Sequence, residues 1–233
     1  MNVLAFDTCL GACSAAVGVG LGAPGERIET AFELRETGHA EALMPMIDTV
    51  MRRAGLAFAD LDRVAVTHGP GTFTGTRIGI AAARALAFAT RADVVTATSL
   101  WVMARSAADR LGSGGDASAI AVAVDARRDS VYFQVFDHGS SAPVGEPRLA
   151  TIAAAAASRP DAVRLVGSGA ELVATALHAS RRAATVGLVD LKPEAATLLR
   201  MAPDLVPGAR PSPLYLRPPD AKPQLEKVIV RAT

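Results

Sequence analysis

Apolar positions along the first half of the chain switch between two periods. Asn2 to Asp7 is a continuous apolar run closed by an acid, which predicts a buried strand. Thr8 to Gly11 turns, Ser14 to Gly20 forms a second strand, Gly22 to Gly25 turns again, and Ile28 to Leu34 alternates as a third. Three antiparallel strands therefore open the chain. The period then lengthens. Ala40, Leu43, Met44, Ile47, Val50, Met51 and Ala54 recur at helical spacing across His39 to Ala54, with Met46 widening the stripe and Pro45 inside it. Arg63 to Val66 predicts a buried strand, Ile80 to Thr90 an alanine-rich helix, Asp93 to Ala97 a strand and Leu100 to Arg110 a helix.

Gly112-Ser113-Gly114-Gly115 is the clearest linker, and it divides the chain into 1–111 and 112–233. Beyond it the plan restarts. Ile120 to Asp125 and Ser130 to Asp137 form a hairpin, His138 to Pro147 a loop, and Ile152 to Ala157 a short helix. Arg164 to Val166, Ala170 to Ser180, Thr185 to Val189 and Pro193 to Met201 follow as strand, helix, strand and helix. Seven prolines between Pro203 and Gln224 predict an extended tail, with the apolar Leu225 to Val230 able to dock after it. Two such α/β halves, each with opening strands and then strand–helix alternation, match the architecture of the actin/hexokinase group.

Between the strand at Val66 and the alanine-rich helix lies Thr67-His68-Gly69-Pro70-Gly71-Thr72-Phe73-Thr74-Gly75. A helix that starts at a strand end presents unpaired N–H groups and a positive dipole end to whatever lies over the turn. No Lys-Ser/Thr follows Gly75, so this is not a Walker A loop, and Thr74 stands where the dinucleotide fingerprint needs its third glycine. Two readings stand: a phosphate loop built from Gly69, Pro70, Gly71 and Thr72, or a tight turn that packs a helix close to its strand. Gly167-Ser168-Gly169 repeats the device in the second half. Asp7-Thr8 at the end of the first strand likewise fits either a phosphate or metal site or a capped hairpin turn.

Two helical faces fit either core or interface. Gly75, Gly79, Ala83 and Ala87 leave one face of the second helix nearly without side chains, for packing on its own sheet or docking another helix. Arg77 and Arg84 interrupt the apolar run and argue against a membrane span. The methionine-rich stripe after His39 is wider than one sheet contact requires, which fits a core helix or a partner surface.

The 233 residues include 50% hydrophobic positions, and mean hydropathy is +0.28, so a sizeable core is expected. Twenty-four Lys and Arg face 23 Asp and Glu, without the basic excess of a protein that grips nucleic acid alone. The start has no basic region before its apolar run, so no secretory signal is expected and a cytoplasmic protein is. Cys9 and Cys13 make neither a disulfide framework nor a metal set. His39, His68, His138 and His178 form no i, i+4 pair, and no Gly-x-Ser-x-Gly elbow occurs.

Asp7-Thr8 with Ser14-Ala15-Ala16-Val17, the run from His68 to Gly79, and Pro213-Leu214-Tyr215-Leu216-Arg217 together resemble the TsaB family. His39-Ala40-Glu41-Ala42-Leu43-Met44-Pro45 and Asp125 to Tyr132 add to the resemblance, which runs the length of the chain. It implies an actin-like two-subdomain fold and a non-catalytic subunit in the formation of threonylcarbamoyladenosine beside the anticodon of ANN-decoding tRNAs. It implies partnership with TsaD and with the P-loop ATPase TsaE, tRNA contact only through the complex, and ATP and a divalent metal held by the partner subunits. The implied interface uses the first helices, here His39, Leu43, Met44, Met46, Ile47, Val50, Gly75, Arg77, Gly79 and Ala83, and serves a homodimer when the protein is alone. Where the catalytic relative carries paired metal-binding histidines, this chain has Thr98-Ser99-Leu100-Trp101-Val102-Met103-Ala104. The alternatives are an ATP-dependent small-molecule kinase of the same fold and a glycoprotease-like peptidase.

Overall fold

The computed structural model describes residues 1–112, 119–137, 139–158, 163–182, 184–208 and 210–217. The first half runs β1 (Val3–Asp7), β2 (Ala12–Val19), β3 (Arg27–Leu34), α1 (His39–Ala54), β4 (Arg63–Thr67), α2 (Phe73–Thr90), β5 (Asp93–Ala97) and α3 (Ser99–Leu111). The second runs β6 (Ala119–Asp125), β7 (Ser130–Asp137), β8 (Pro143–Thr151), α4 (Ile152–Ala157), β9 (Val163–Val166), α5 (Ala170–Ala179), β10 (Thr185–Val186) and α6 (Ala195–Met201). The five-stranded sheets have the orders β3-β2-β1-β4-β5 and β8-β7-β6-β9-β10, so one topology occurs twice. In each, the first three strands pair antiparallel and the last two join in parallel. The chain is mixed α/β with two actin-like subdomains.

Each sheet is covered on both faces, and this explains the unbroken apolar runs of β1 and β6. Leu4 and Phe6 face α1 and α2, packing with Leu43, Ile47, Val50 and Ala83. Val3 and Ala5 face the other way and meet Leu198 and Leu199 of α6. In the second half Ala121 and Ala123 pack with Val173 and Leu177 of α5, while Ile120 and Val122 meet Leu100, Met103 and Ala107 of α3. The last helix of each half thus lies on the inner face of the opposite sheet, and the halves interlock. A division at 111/112 assigns α6 to the second half by sequence, but its side chains complete the core of the first. Gly112 caps α3 at φ 64°, and the remaining linker residues 113–115 lie outside the described residues.

Several boundaries differ from expectation. α2 begins at Phe73 rather than Ile80, because Thr72 caps it by accepting a hydrogen bond from the Gly75 N–H. The expected loop from His138 to Pro147 takes in the first part of β8, which starts at Pro143. Prolines are tolerated there because β8 is an edge strand whose outer N–H positions have no ladder to serve. β10 is two residues long, and α6 starts at Ala195.

After a short helical turn at Ala202–Asp204, the described tail residues 205–208 and 210–217 form neither helix nor strand. The tail is a strap. Arg63 Nη1 donates to the Ala202 carbonyl at 2.6 Å, Arg84 Nε to Pro211 at 2.9 Å, and the Leu214 N–H to His68 at 2.8 Å. Arg217 Nη2 then donates to the Ala126 carbonyl of the β6–β7 turn at 2.6 Å, so the strap crosses from one half to the other. His138, Pro218, Pro219, Pro223 and Leu225 to Val230 lie outside the described residues.

Candidate functional site

The loop between β4 and α2 is folded against the β1–β2 turn at backbone-to-backbone distance. A Cβ on Gly71 would sit 2.4 Å from the Cys9 carbonyl oxygen, and one on Gly75 2.1 Å from that of Thr8. A Cβ on Gly79 would meet Thr8 Oγ1 at 2.8 Å. These positions exclude any side chain, which is why glycine recurs here. The contacts are locked by hydrogen bonds: Thr8 Oγ1 donates to the Gly75 carbonyl at 2.7 Å, and the Thr72 N–H to the Cys9 carbonyl at 2.9 Å. On the other side the Ser99 N–H donates to the Gly69 carbonyl at 2.8 Å, and Ser99 Oγ to the Pro70 carbonyl. Gly69 adopts φ 105°, and the Leu214 carbonyl of the strap lies 3.0 Å from where its Cβ would be.

Asp7 is fully buried behind this loop. Thr67 Oγ1 donates to Oδ1, and the Cys9 N–H to Oδ2 at 3.2 Å. Burial raises its pKa to about 7 despite the lowering effect of those hydrogen bonds. Cys9 and Cys13 are both free and buried; burial pushes the Cys13 thiol up to about 11 and Cys9 higher still. They are inert core residues. The expected phosphate loop of Asp7, Thr8, Gly69, Pro70, Gly71 and Thr72 is therefore brought together in space, but as internal packing. The spaces its glycines leave are taken by the carbonyl oxygens of Thr8, Cys9 and Leu214, which are acceptors and do not fit a phosphate. Among the described residues no group of three or more His, Cys, Asp or Glu is placed to hold a metal ion, and no helix is long and apolar enough to cross a membrane.

The helix-face residues separate into two sets. Leu43, Ile47 and Val50 of α1, and Gly75, Gly79 and Ala83 of α2, are buried against the chain's own sheet. They cannot reach a partner, and placing them in an interface is corrected here: a glycine stripe fits whichever backbone comes nearest, and that backbone is β1–β2. His39 is buried too, with Nε2 unpartnered among the described residues. Met44 and Arg77 are exposed, and Met46 is half-buried. The opposite side of α2 carries the residues that sequence reasoning passed over. Phe73 is 60% exposed and Phe88 91%, with Ala81 and Ala85 exposed between them. Residues 77, 81, 85 and 88 fall three or four apart, facing away from the glycine stripe, and that offset was the available signal. Arg77 stacks on the Phe73 ring at 3.1 Å, and Phe73 stacks on Tyr215 of the strap at 5.9 Å between centroids.

The family model described as TsaD, tRNA N6-adenosine threonylcarbamoyltransferase, matches residues 33–182. The tRNA threonylcarbamoyladenosine biosynthesis protein TsaB of Haemophilus influenzae is 35% identical over 57% of this chain and 52% of its own length. The chain belongs to the TsaB family. The chain spans about half the length of the curated TsaB relatives it matches first. An uncharacterized protein of Mycobacterium tuberculosis is 32% identical over 95% of this chain and 94% of its own length. The structure of YeaZ from Pseudomonas aeruginosa superposes with a TM-score of 0.75 at 28% identity, covering 92% of this chain and 99% of that one. Membership in the TsaB family thus rests on sequence over residues 33–182 and on fold across nearly the whole chain.

Proposed function

We propose that this chain is a non-catalytic scaffold of threonylcarbamoyladenosine formation, acting beside TsaD on ANN-decoding tRNA. Its two subdomains, 1–111 and 112–233, share the interlocked helices α3 and α6. TsaD supplies the transfer chemistry, ATP and a divalent metal belong to the partner subunits, TsaE joins the pair, and tRNA is met only in the complex. The protein works in the cytoplasm and pairs with itself when alone. The match to TsaB proteins supports this reading, and so does the loop around Asp7, whose glycines are pressed against the chain's own carbonyls. A kinase of this fold would need Asp7 and those N–H groups open to solvent.

The observation that carries the reading is the apolar outer face of the α1/α2 pair. Met44, Phe73, Ala81, Ala85 and Phe88 are exposed on the subdomain covered by the longest helices, and exposed apolar surface of this kind marks association. Light scattering behind size exclusion, with TsaD from the same cell, tests it. Wild type is expected to form a heterodimer. Phe88→Glu should weaken the complex at least about 30-fold, as loss of a central aromatic anchor does, while Leu172→Glu on exposed α5 leaves it unchanged. Unchanged assembly in Phe88→Glu, or ATP hydrolysis by the isolated wild type, overturns the scaffold reading.

A further inference from the structure

Between the two halves, beside the start of the β4–α2 loop, lies a pocket of about 300 Å³ lined by His68, Thr98, Trp101, Gln134, Glu146 and Leu214, with two prolines and a glycine of β8 completing it. Its size is at the lower end for small-molecule sites. Gln134 lies on β7 with the parity of Tyr132 and Phe136, which turn to the inner face against α3, so its side chain enters the space between the halves. It is 4% exposed. Its Nε2 donates to the Gly145 carbonyl at 2.9 Å, which fixes the orientation of the amide. The Oε1 atom is then left buried with no partner among the described residues. A buried acceptor without a donor is costly, and a ligand that brings one removes the cost.

The rest of the lining sets the charge and shape of that ligand. Glu146, an exposed residue of β8, is the acidic residue of the lining, and no Lys or Arg is among the described residues that line it. His68 is held neutral by burial, and its ring is hydrogen-bonded to the Ser212 backbone. Thr98 Oγ1 already accepts from the Trp101 N–H, and Trp101 Nε1 donates to the Ser141 carbonyl at 2.9 Å, so the indole offers only its body. Apart from the Thr98 O–H and the second Gln134 amide N–H, the polar groups left for a ligand among the described residues are acceptors, over walls of indole, leucine and proline. A phosphate or carboxylate would bring its charge up against Glu146, with no Lys or Arg among the described lining residues to offset it.

We propose that this pocket binds a small organic cation, an alkylguanidinium or alkylammonium compound, with one N–H on Gln134 Oε1, the charge toward Glu146 and the alkyl stem against Trp101 and Leu214. The site is independent of the docking face and of whether the chain is a scaffold. Trp101 is the protein's single tryptophan, so its emission reports on this pocket alone.

The test is a fluorescence titration of the full-length protein with butylguanidinium chloride, and with sodium butyrate at the same ionic strength. Butylguanidinium should give a saturable change at about 1 mM, the strength expected of a ligand of so few atoms, and butyrate none. Gln134→Leu and Glu146→Gln should each weaken binding about tenfold, in line with a hydrogen bond to a charged group. Circular dichroism checks that each variant is folded, and Glu146→Gln, on an exposed residue, keeps the test open if Gln134→Leu is not. No saturable change with wild type, equal response to butyrate, or unchanged affinity in Glu146→Gln would each sink the proposal.

Discussion

The two halves share one topology and differ at every point where function is concerned. β1 ends in Asp7 and β6 in Asp125, each next to a glycine turn that opens a helix. Asp7 is sealed behind Gly71 and Gly75, whereas Asp125 is exposed and accepts a hydrogen bond from the Arg127 N–H at 2.8 Å. The outer helices differ as much. α1 and α2 have 16 and 18 residues and carry exposed aromatic and methionine side chains, while α4 and α5 have 6 and 10. A duplicated fold has kept its core pattern in both copies. Both glycine turns press on their own sheet, and the first half is the one whose outer helices are long and carry exposed phenylalanines.

The sharpest way to break the comparison is at the glycines. Gly75→Ala places a methyl group 2.1 Å from a backbone oxygen that has no room to move, and should cost about 4 kcal/mol or more. Gly169→Ala in the second half meets Val131 Cγ1 at 2.8 Å, a side chain that can shift, with the Asp125 backbone nitrogen next at 3.1 Å, and should cost less, about 2 kcal/mol. Urea midpoints of the two variants measure the difference; equal losses would show that the two turns are packed alike.

Asp7 gives the next effect. Its folded pKa of about 7 lies above the ordinary value of 3.8, so the folded state holds the proton more tightly than the unfolded chain. Stability is then fully present below about pH 4 as far as this group is concerned, and it falls as pH rises through 7. The loss is on the order of a few kcal/mol. Asp7→Asn should remove that slope between pH 4 and 8, and Asp125→Asn should leave it in place. A wild-type curve that rises with pH across this window, or an unaltered slope in Asp7→Asn, contradicts the assignment.

The strap is the smallest term. Arg217→Ala removes the hydrogen bonds to the Ala126 and Arg127 carbonyls. Each such bond is worth about 1 kcal/mol net, so a small drop in Tm is expected, with amide exchange rising at the β6–β7 turn and not at β1. Faster exchange in β1 would mean that the strap holds the first half together by itself.

Much of the chain was legible before any coordinates. α1 spans His39 to Ala54 as its apolar spacing requires, and β5, β7 and α4 fall at their expected bounds, because hydrophobic period and capping residues are local signals. β8 was missed because Pro143 and Pro147 argue against a strand unless it lies at an edge, and edge position is set by neighbours far away in sequence. The site was harder. Gly75 and Gly79 announce a close approach without naming what approaches, and the answer came from Thr8, more than sixty residues upstream. Phe88 gives no local sign of exposure, since an aromatic residue in an alanine-rich helix is equally at home in a core.

By itself, then, the sequence determined the duplicated order of strands and helices, the family, and the need for bare backbone from Gly69 to Gly79. Those are consequences of period, glycine placement and motif, each encoded within a few dozen residues. Only the tertiary structure decided that the glycine face turns inward and the phenylalanine face outward, that α3 and α6 exchange sheets, and that Gln134 Oε1 is left without a donor among the described residues. Each of these depends on which surfaces meet across the fold, and a burial preference alone does not choose between two apolar partners.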